Sequence, residues 1–372
     1  MRRFDDSDTS SSLKKYAAIG RFLTNYHPLR ELYSQFFETE LCFYQAVART
    51  TGMSTERGKG TVAVVGGAGA VGSSTAFALM ESSLVGEIIL VDIAEERVEG
   101  EAMDLNHGSY FTSPVRVRTG DYEDCWDADV VIVTAGASQK PDETRLDLME
   151  RNADIFADMI PQITEGLNDD AVMLIVTNPV DVLSYVTWKV SDLPAERVIG
   201  SGTVLDTSRF RHSLSREFDL DPANVHAYVV GEHGDSEVLV WSSANLGGIP
   251  FVSYATSHGV DDVDALKARV EEEVREAAYE IIERKERTNY GVARSVAATT
   301  ERILGDDNSI LTVSTLVSGE HGIDDVYMSL PCTVNQGGVR DVHEFDLSAD
   351  ETAALRESAD VIRESIERLD LE

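Results

Sequence analysis

Lysine is nearly missing from this chain, with seven residues in 372 against 25 arginines. Basic residues of both kinds number 32 and acidic residues 66, a formal net charge of −34. A surface of that sign repels phosphate backbones and argues against a nucleic-acid partner. Cysteine is also scarce. Cys42, Cys125 and Cys332 are too widely spaced for a disulfide framework or a metal-ligand pattern, so a reducing compartment and no metal are expected. No uninterrupted apolar run reaches the roughly 18 residues of a membrane span. No apolar core of signal-peptide length follows Arg2-Arg3. The expected location is therefore the cytosol, away from membranes. Apolar material itself is plentiful at 42% of residues, which supplies a core and excludes charge-driven disorder. Self-repulsion on this scale is tolerable in concentrated salt, because the Debye length shrinks to about 3 Å at about 1 M. A salt-adapted cytosolic protein is the expectation.

The acidity is not uniform. Residues 1–52 hold seven basic and six acidic residues, a net charge of +1, so the remainder carries −35. Nine aromatics fall in the same stretch, from Phe4 to Tyr44. An arm that shared the history of the acidic body should share its bias. Met53 therefore reads as the biological start and residues 1–52 as a gene-model extension. The alternative is a genuine helical arm or targeting segment.

From residue 60 onward, strand and helix patterns alternate. Thr61 to Val65 is a short buried-type strand. It runs into Gly66-Gly67-Ala68-Gly69-Ala70-Val71-Gly72 and then an apolar helix expected over Ser73 to Glu81. Gly67, Gly69 and Gly72 match the dinucleotide pattern G-x-G-x-x-G, and a second strand ends in Asp92, 20 residues beyond Gly72. A pyrophosphate would sit on the helix N-terminus beside Ala70 and Val71. Asp92 would accept from both ribose hydroxyls and repel the 2′-phosphate of NADP. NAD is the expected cofactor. Val115 to Arg118 alternates like an edge strand, Asp129 to Thr134 reads as buried, and Ala171 to Val176 ends in Thr177-Asn178-Pro179. Ligands of such α/β sheets lie at the carboxyl ends of strands, which places Thr134, Ala135, Gly136 and Asn178 beside the cofactor. The fold class expected is a Rossmann-type doubly wound parallel sheet over 53–200, followed by an α+β catalytic domain over 201–372.

In that second part, Asp206 is a plausible N-cap of a helix and shares a face with Arg209, three residues on. A strand from Val225 to Val230 stops at Gly231-Glu232-His233-Gly234-Asp235. Glycines on both sides let the backbone turn and present His233 at the strand end. An imidazole there is a candidate acid/base, since its ordinary pKa of about 6.5 lies near neutrality. Long amphipathic helices are expected over 261–287 and 291–304, then two strands. A final helix is announced by the capping box Ser348-Ala349-Asp350-Glu351.

The segments GGAGAVG, ASQKPDETRLDL, TNPVDVLSYVTWKV, SGTVLDTSRFR and GEHGDSE, in this order and spacing, resemble the lactate/malate dehydrogenase family over about residues 60–369. The resemblance implies reversible hydride transfer between NADH and a 2-oxo acid. It makes His233 the acid that protonates the ketone oxygen, with Asp206 fixing its tautomer. Arg209 would grip the substrate carboxylate, and Arg145 would polarise the carbonyl from a closing loop. Asn178 and Thr288 would line the pocket, although Lys285-Glu286-Arg287-Thr288 departs from the family's Lys-Gly-Ala-Thr. The Asn178-Pro179 bond is cis in the family. Gln139 stands where the malate enzymes carry Arg, which points to pyruvate and lactate. Oxaloacetate and malate stay open as the alternative, because the choice hangs on one residue. Arg211 and His226 match an Arg and a His with which activatable bacterial relatives bind fructose 1,6-bisphosphate; an ordinary helix arginine and strand histidine, or a chloride site, is the other possibility. The resemblance also implies a homo-oligomer, with a tetramer favoured. A silent NAD-binding scaffold on the same fold is the remaining class, and the complete set of Arg145, Asp206, Arg209 and His233 argues against it.

The charge of the body makes a direct prediction. Structure and activity should be lost at about 0.1 M KCl and recovered in about molar KCl. A melting temperature unchanged across that range would contradict salt adaptation.

Overall fold

The computed structural model describes residues 59–137 and 144–369. The expectations for residues 1–52 and for Gln139 lie outside the described residues.

Six strands run parallel: β1 (Gly60–Val65), β2 (Val85–Val91), β3 (Arg116–Gly120), β4 (Val130–Val133), β5 (Val172–Ile175) and β6 (Val198–Gly200). Their order in space is 3-2-1-4-5-6. That is the doubly wound order, with its switch point between β1 and β4. The central strands read as continuous apolar runs because both faces are covered, and Val130 to Val133 have no exposure at all. Strand β3 lies at the sheet edge, as its alternation implied. There Arg118 faces Glu87 at 3.0 Å and Asp124 at 2.6 Å.

Strands β7 (Val225–Val230), β8 (Val238–Leu246) and β9 (Ile249–Pro250) form a separate antiparallel sheet. The two strands expected near the end of the chain are β10 (Ser309–Ser318) and β11 (Asp324–Asn335), and a third, β12 (Gly338–Val342), follows them. They extend the parallel sheet to nine strands, with Ser314 opposite Gly200 of β6. Strand β6 would otherwise end the sheet with an unpaired row of backbone groups.

Nine helices of at least seven residues occur among the described residues: α1 (Ala70–Met80), α2 (Glu95–Gly108), α3 (Arg145–Thr164), α4 (Val180–Ser191), α5 (Val204–Glu217), α6 (Phe251–Ser257), α7 (Val263–Lys285), α8 (Tyr290–Gly305) and α9 (Ala349–Glu367). Helix α1 begins three residues before the expected Ser73, so Gly72 is a helical residue. Helix α7 stops at Lys285, two residues short of expectation, where Glu286 turns left-handed with φ 69°. Two apolar cores result. The larger surrounds the nine-stranded sheet, and the smaller packs Phe210, Trp241, Phe251 and Val270 between α5, β8, α6 and α7. In the smaller core the Trp241 ring lies 4.7 Å from both Phe210 and Phe251.

Helix α9 starts as its capping box implied. The Ser348 hydroxyl accepts from Glu351 N at 3.2 Å, and the Glu351 carboxylate accepts from Ser348 N at 2.8 Å. Leu355, Ile362 and Leu369 are buried beneath it and Ile366 is partly so. Replacing Ser348 by Ala should cost about 1 kcal/mol of stability, the usual worth of such a cap. Chemical denaturation in molar KCl measures this, and an unchanged midpoint would show that the cap contributes nothing.

Candidate active site

The Gly231–Ser236 turn is held by hydrogen bonds from several directions. Gly231 exchanges both backbone hydrogen bonds with Ser329 of β11, each 2.9 Å. Glu232 N donates to the Ser358 hydroxyl of α9 at 2.8 Å. His233 N donates to the Asp181 carboxylate of α4 at 2.8 Å. The His233 side chain meets Asp206 with Nδ1 2.6 Å from Oδ2, and Arg209 Nη1 donates to Oδ1 of the same carboxylate at 2.7 Å. Asp206 is therefore not the N-cap of α5. Thr203 occupies that position and turns its hydroxyl to Val229 O at 2.5 Å. Asp206 lies in the first helical turn, where the helix dipole favours a negative charge, and points inward to the histidine.

Asp206 is only 1% exposed. Burial works to raise its pKa, but the charge and hydrogen bonds of His233 and Arg209 prevail and hold the group below the usual carboxylate range. A carboxylate only accepts, so Nδ1 of His233 carries a proton and Nε2 is the nitrogen left to exchange one. Burial by itself would lower the imidazole pKa. Asp206, with smaller help from Asp181 and Glu237, outweighs it and pushes His233 up to about 9. The His233 side chain keeps 24% of its surface exposed. Glu237 is a buried carboxyl pushed up to about 8 by burial and then by the charge of Asp206.

The second component lies at the carboxyl ends of β1, β2 and β4. Gly66 has φ +87°, and a Cβ there would fall 2.5 Å from Ala135 N. A Cβ on Gly72 would fall 2.2 Å from Gly66 O. Only glycine allows this turn to fold back against its own helix. A cavity of about 550 Å³ opens beside it, lined among others by Gly69, Asp92, Thr134, Ala135 and Gly136. Asp92 is fixed on its wall by Ala68 N at 3.0 Å and Ala94 N at 2.9 Å. Size, glycine turn, helix N-terminus and oriented carboxylate fit a dinucleotide. Gly67, Ala70, Val71 and Gly72 do not line the cavity but build the turn and the first turn of α1.

Known proteins share this arrangement. Residues 60–200 match the lactate/malate dehydrogenase NAD binding domain, and residues 203–370 match the alpha/beta C-terminal domain of the same enzymes. The chain belongs to the lactate/malate dehydrogenase family. Its cofactor is NAD. It is 48% identical over 311 residues to L-lactate dehydrogenase 1 of Clostridium acetobutylicum, a match that spans 84% of this chain and 99% of the relative. It is also 48% identical to L-lactate dehydrogenase 1 of Peribacillus psychrosaccharolyticus, over 83% of this chain and 96% of that one. Among solved structures, the ligand-bound minor L-lactate dehydrogenase of Enterococcus mundtii superposes with a TM-score of 0.81 at 38% identity, covering 84% and 99% of the two chains. A lactate dehydrogenase from a Medee basin deep-sea metagenome gives 0.80 at 42%, covering 83% and 98%.

The remaining family positions are placed as follows. Asn178 is exposed at the end of β5, followed by a cis peptide to Pro179. Its carbonyl accepts from Asn152 Nδ2 at 3.2 Å, while Asn152 Oδ1 accepts from Ala137 N at 2.8 Å. Asn152 is 1% exposed and carried no signal in the sequence beyond being a polar residue on an apolar helix. Thr288 is partly buried in the link between α7 and α8, where the departing Lys285-Glu286-Arg287 run makes the left-handed helix end. Arg145 is the first residue of α3. Arg211 donates from Nε to Ala227 O at 3.0 Å and stands 5.4 Å over the Tyr228 ring, while His226 is exposed on β7. Buried threonines, unforeseen in the sequence, tie the site to the sheet: Thr207 Oγ1 accepts from Val229 N at 2.9 Å and lies 3.0 Å from Thr312 Oγ1.

The Asp206–His233 pair makes a prediction about pH. A folded-state value near 9 exceeds the ordinary 6.5. The pair therefore contributes stability that is fully present below about pH 6.5 and lost as pH rises through about 9. Asp206→Asn should lower the His233 titration by at least about one unit, because the carboxylate is the main raising influence. Imidazole chemical shifts followed by NMR test this, and an unmoved titration would refute the assignment of cause.

Proposed function

We propose that the chain is an NAD-dependent L-lactate dehydrogenase that interconverts pyruvate and (S)-lactate. The observation that carries this reading is the pairing of buried Asp206 with a partly exposed His233, in a chain whose other half is an NAD-binding fold. Bound NADH supplies the hydride to the substrate carbonyl carbon. The chain's own residues do the rest. His233 gives its Nε2 proton to the oxygen that becomes the hydroxyl and recovers one in the reverse direction. Asp206 keeps the imidazole in the right tautomer and stabilises its cationic form, as the carboxylate of a hydrolytic triad does. Arg209 spends one nitrogen on Asp206, which leaves the rest of a planar fork for a substrate carboxylate. Arg145 acts on the developing oxyanion charge, and Asn178 and Thr288 border the pocket. Gly67, Gly69, Ala70, Val71 and Gly72 cradle the pyrophosphate, Asp92 takes the ribose, and Thr134, Ala135, Gly136 and Asn178 follow the cofactor.

The reading extends to the whole protein. Residues 53–200 form the cofactor half and 201–372 the catalytic half, with residues 1–52 an extension. The −35 charge of the body supports a salt-adapted enzyme of the cytosol. Among the described residues no helix is long and apolar enough to cross a membrane. Met103, Tyr110, Phe111 and Phe77 are all more than half exposed, and apolar exposure of this kind supports burial between subunits of a homotetramer. Arg211 and His226 form the proposed anion site, open to fructose 1,6-bisphosphate or to an inorganic anion such as chloride.

Substrate choice falls to Gln139. Oxaloacetate brings a second carboxylate that a neutral amide leaves unpaired in a closing site, which costs several kcal/mol. In molar KCl with NADH, pyruvate should show the higher kcat/KM. Gln139→Arg should reverse the ratio by at least about 10³, roughly 4 kcal/mol. Wild-type preference for oxaloacetate would replace this reading with malate dehydrogenase.

A further inference from the structure

Asp181 sits in the first turn of α4, three residues after Asn178, and is 2% exposed. Its Oδ2 accepts the main-chain N–H of His233 at 2.8 Å. Its Oδ1 lies near the Ser314 hydroxyl of β10, yet neither atom finds a hydrogen bond of good geometry among the described residues. Burial pushes the carboxyl up to about 6, against the Ser314 hydroxyl, the His233 N–H and the charge of His233; the charge of Glu232 adds to the rise. A buried carboxyl with one neutral donor is an expensive group to keep. The other main-chain bonds of the Gly231–Glu232 segment go to β11 and α9, in the C-terminal part of the chain. Asp181 comes instead from the parallel half, directly behind the Asn178-Pro179 turn.

We propose that Asp181 is a positioning residue for the acid/base histidine, holding the His233 backbone to the end of the parallel sheet at the Asn178-Pro179 turn. This rests on the reading of His233 as the proton donor. Asp181 touches no reactant. It acts by keeping the imidazole at a fixed distance from Asn178, so that proton and hydride arrive at neighbouring atoms of one substrate. Its negative charge, when present, also favours the imidazolium.

Two variants separate the parts of this role. Asp181→Ala leaves the His233 N–H unpaired, whereas Asp181→Asn retains a carbonyl acceptor and removes the charge. For Asp181→Ala, kcat for pyruvate reduction should fall by at least about thirtyfold, as expected when a general acid is misplaced. Its pyruvate KM should stay within about threefold, and NADH affinity by fluorescence within about twofold, since neither ligand touches Asp181. For Asp181→Asn, kcat should fall by only about fivefold, and the alkaline limb of the pH profile should move to lower pH, because the imidazolium has lost a nearby negative charge. Asp181→Ala with kcat within threefold of wild type would overturn the proposal. So would a loss of NADH binding in step with kcat, with an unmoved limb in Asp181→Asn, the signature of a purely structural role. If Asp181→Ala does not fold, the Asp181→Asn limb decides alone. His233→Asn serves as control. Turnover surviving in it removes the acid/base reading itself, whereas an inactive control beside a wild-type-like Asp181→Ala removes only this inference.

Discussion

A carboxylate at 1% exposure must have its charge answered, and in this protein Asp206 is answered by two cations, one on either oxygen. Removing both partners would leave a buried charge uncompensated, a cost of roughly 3–5 kcal/mol. The requirement explains much of the local architecture. Helix α5 must enter at an angle that turns Asp206 inward, so Thr203 takes the N-cap position and gives its hydroxyl to β7. The turn after β7 must present His233 to it, so Gly231 adopts φ +93° and is bonded to β11, while Glu232 and His233 are bonded to α9 and α4. Arg209 is drawn to the same carboxylate and comes to rest beside the imidazole. Two groups able to bind a carboxylate and move a proton are thus brought together by the pairing of one buried charge.

The opposite component depends on a steric constraint. Gly66 and Gly72 approach more closely than any Cβ would permit, which lets strand β1 turn directly into helix α1 and leaves that helix's N-terminal end facing a cavity. The cavity opens where the order of the parallel strands reverses. The nine-stranded sheet runs from that cavity to β11, against which the His233 turn is pinned. The cofactor cavity and the turn that carries His233 are therefore attached to one continuous sheet. The smaller core beneath Phe210 and Trp241 supports α5 and the strand that leads to His233.

Legibility varied with the range of the interaction. The parallel strands were plain because burial on both faces selects unbroken apolar runs, and the final helix was plain because a capping box satisfies its first N–H groups within four residues. The glycine turn, Asp92 and the glycine-flanked histidine were legible for the same reason, since each is a short-range demand on backbone geometry. Where the reading erred, a distant partner had prevailed. Asp206 had the chemistry of a cap, yet a histidine 27 residues away claimed its carboxylate. Strands β10 and β11 were legible as strands, but the sheet they join was not, since the open edge of β6 is what takes them into the first.

By itself the sequence determined the order of strands and helices, the dinucleotide turn and its acidic partner, and the chemical types of the reacting groups. These follow from rules that act over a few residues. Only the tertiary structure decided that Asp181, Asn152, Thr207 and Ser358 belong to the site's surroundings, and that the imidazole is held well above its ordinary pKa. The reason is that a side chain's hydrogen-bond partner, and the dielectric in which a charge must live, are properties of neighbours brought together by folding. Asp181 and His233 are 52 residues apart in the chain and 2.8 Å apart in the protein, a contact that no local pattern encodes.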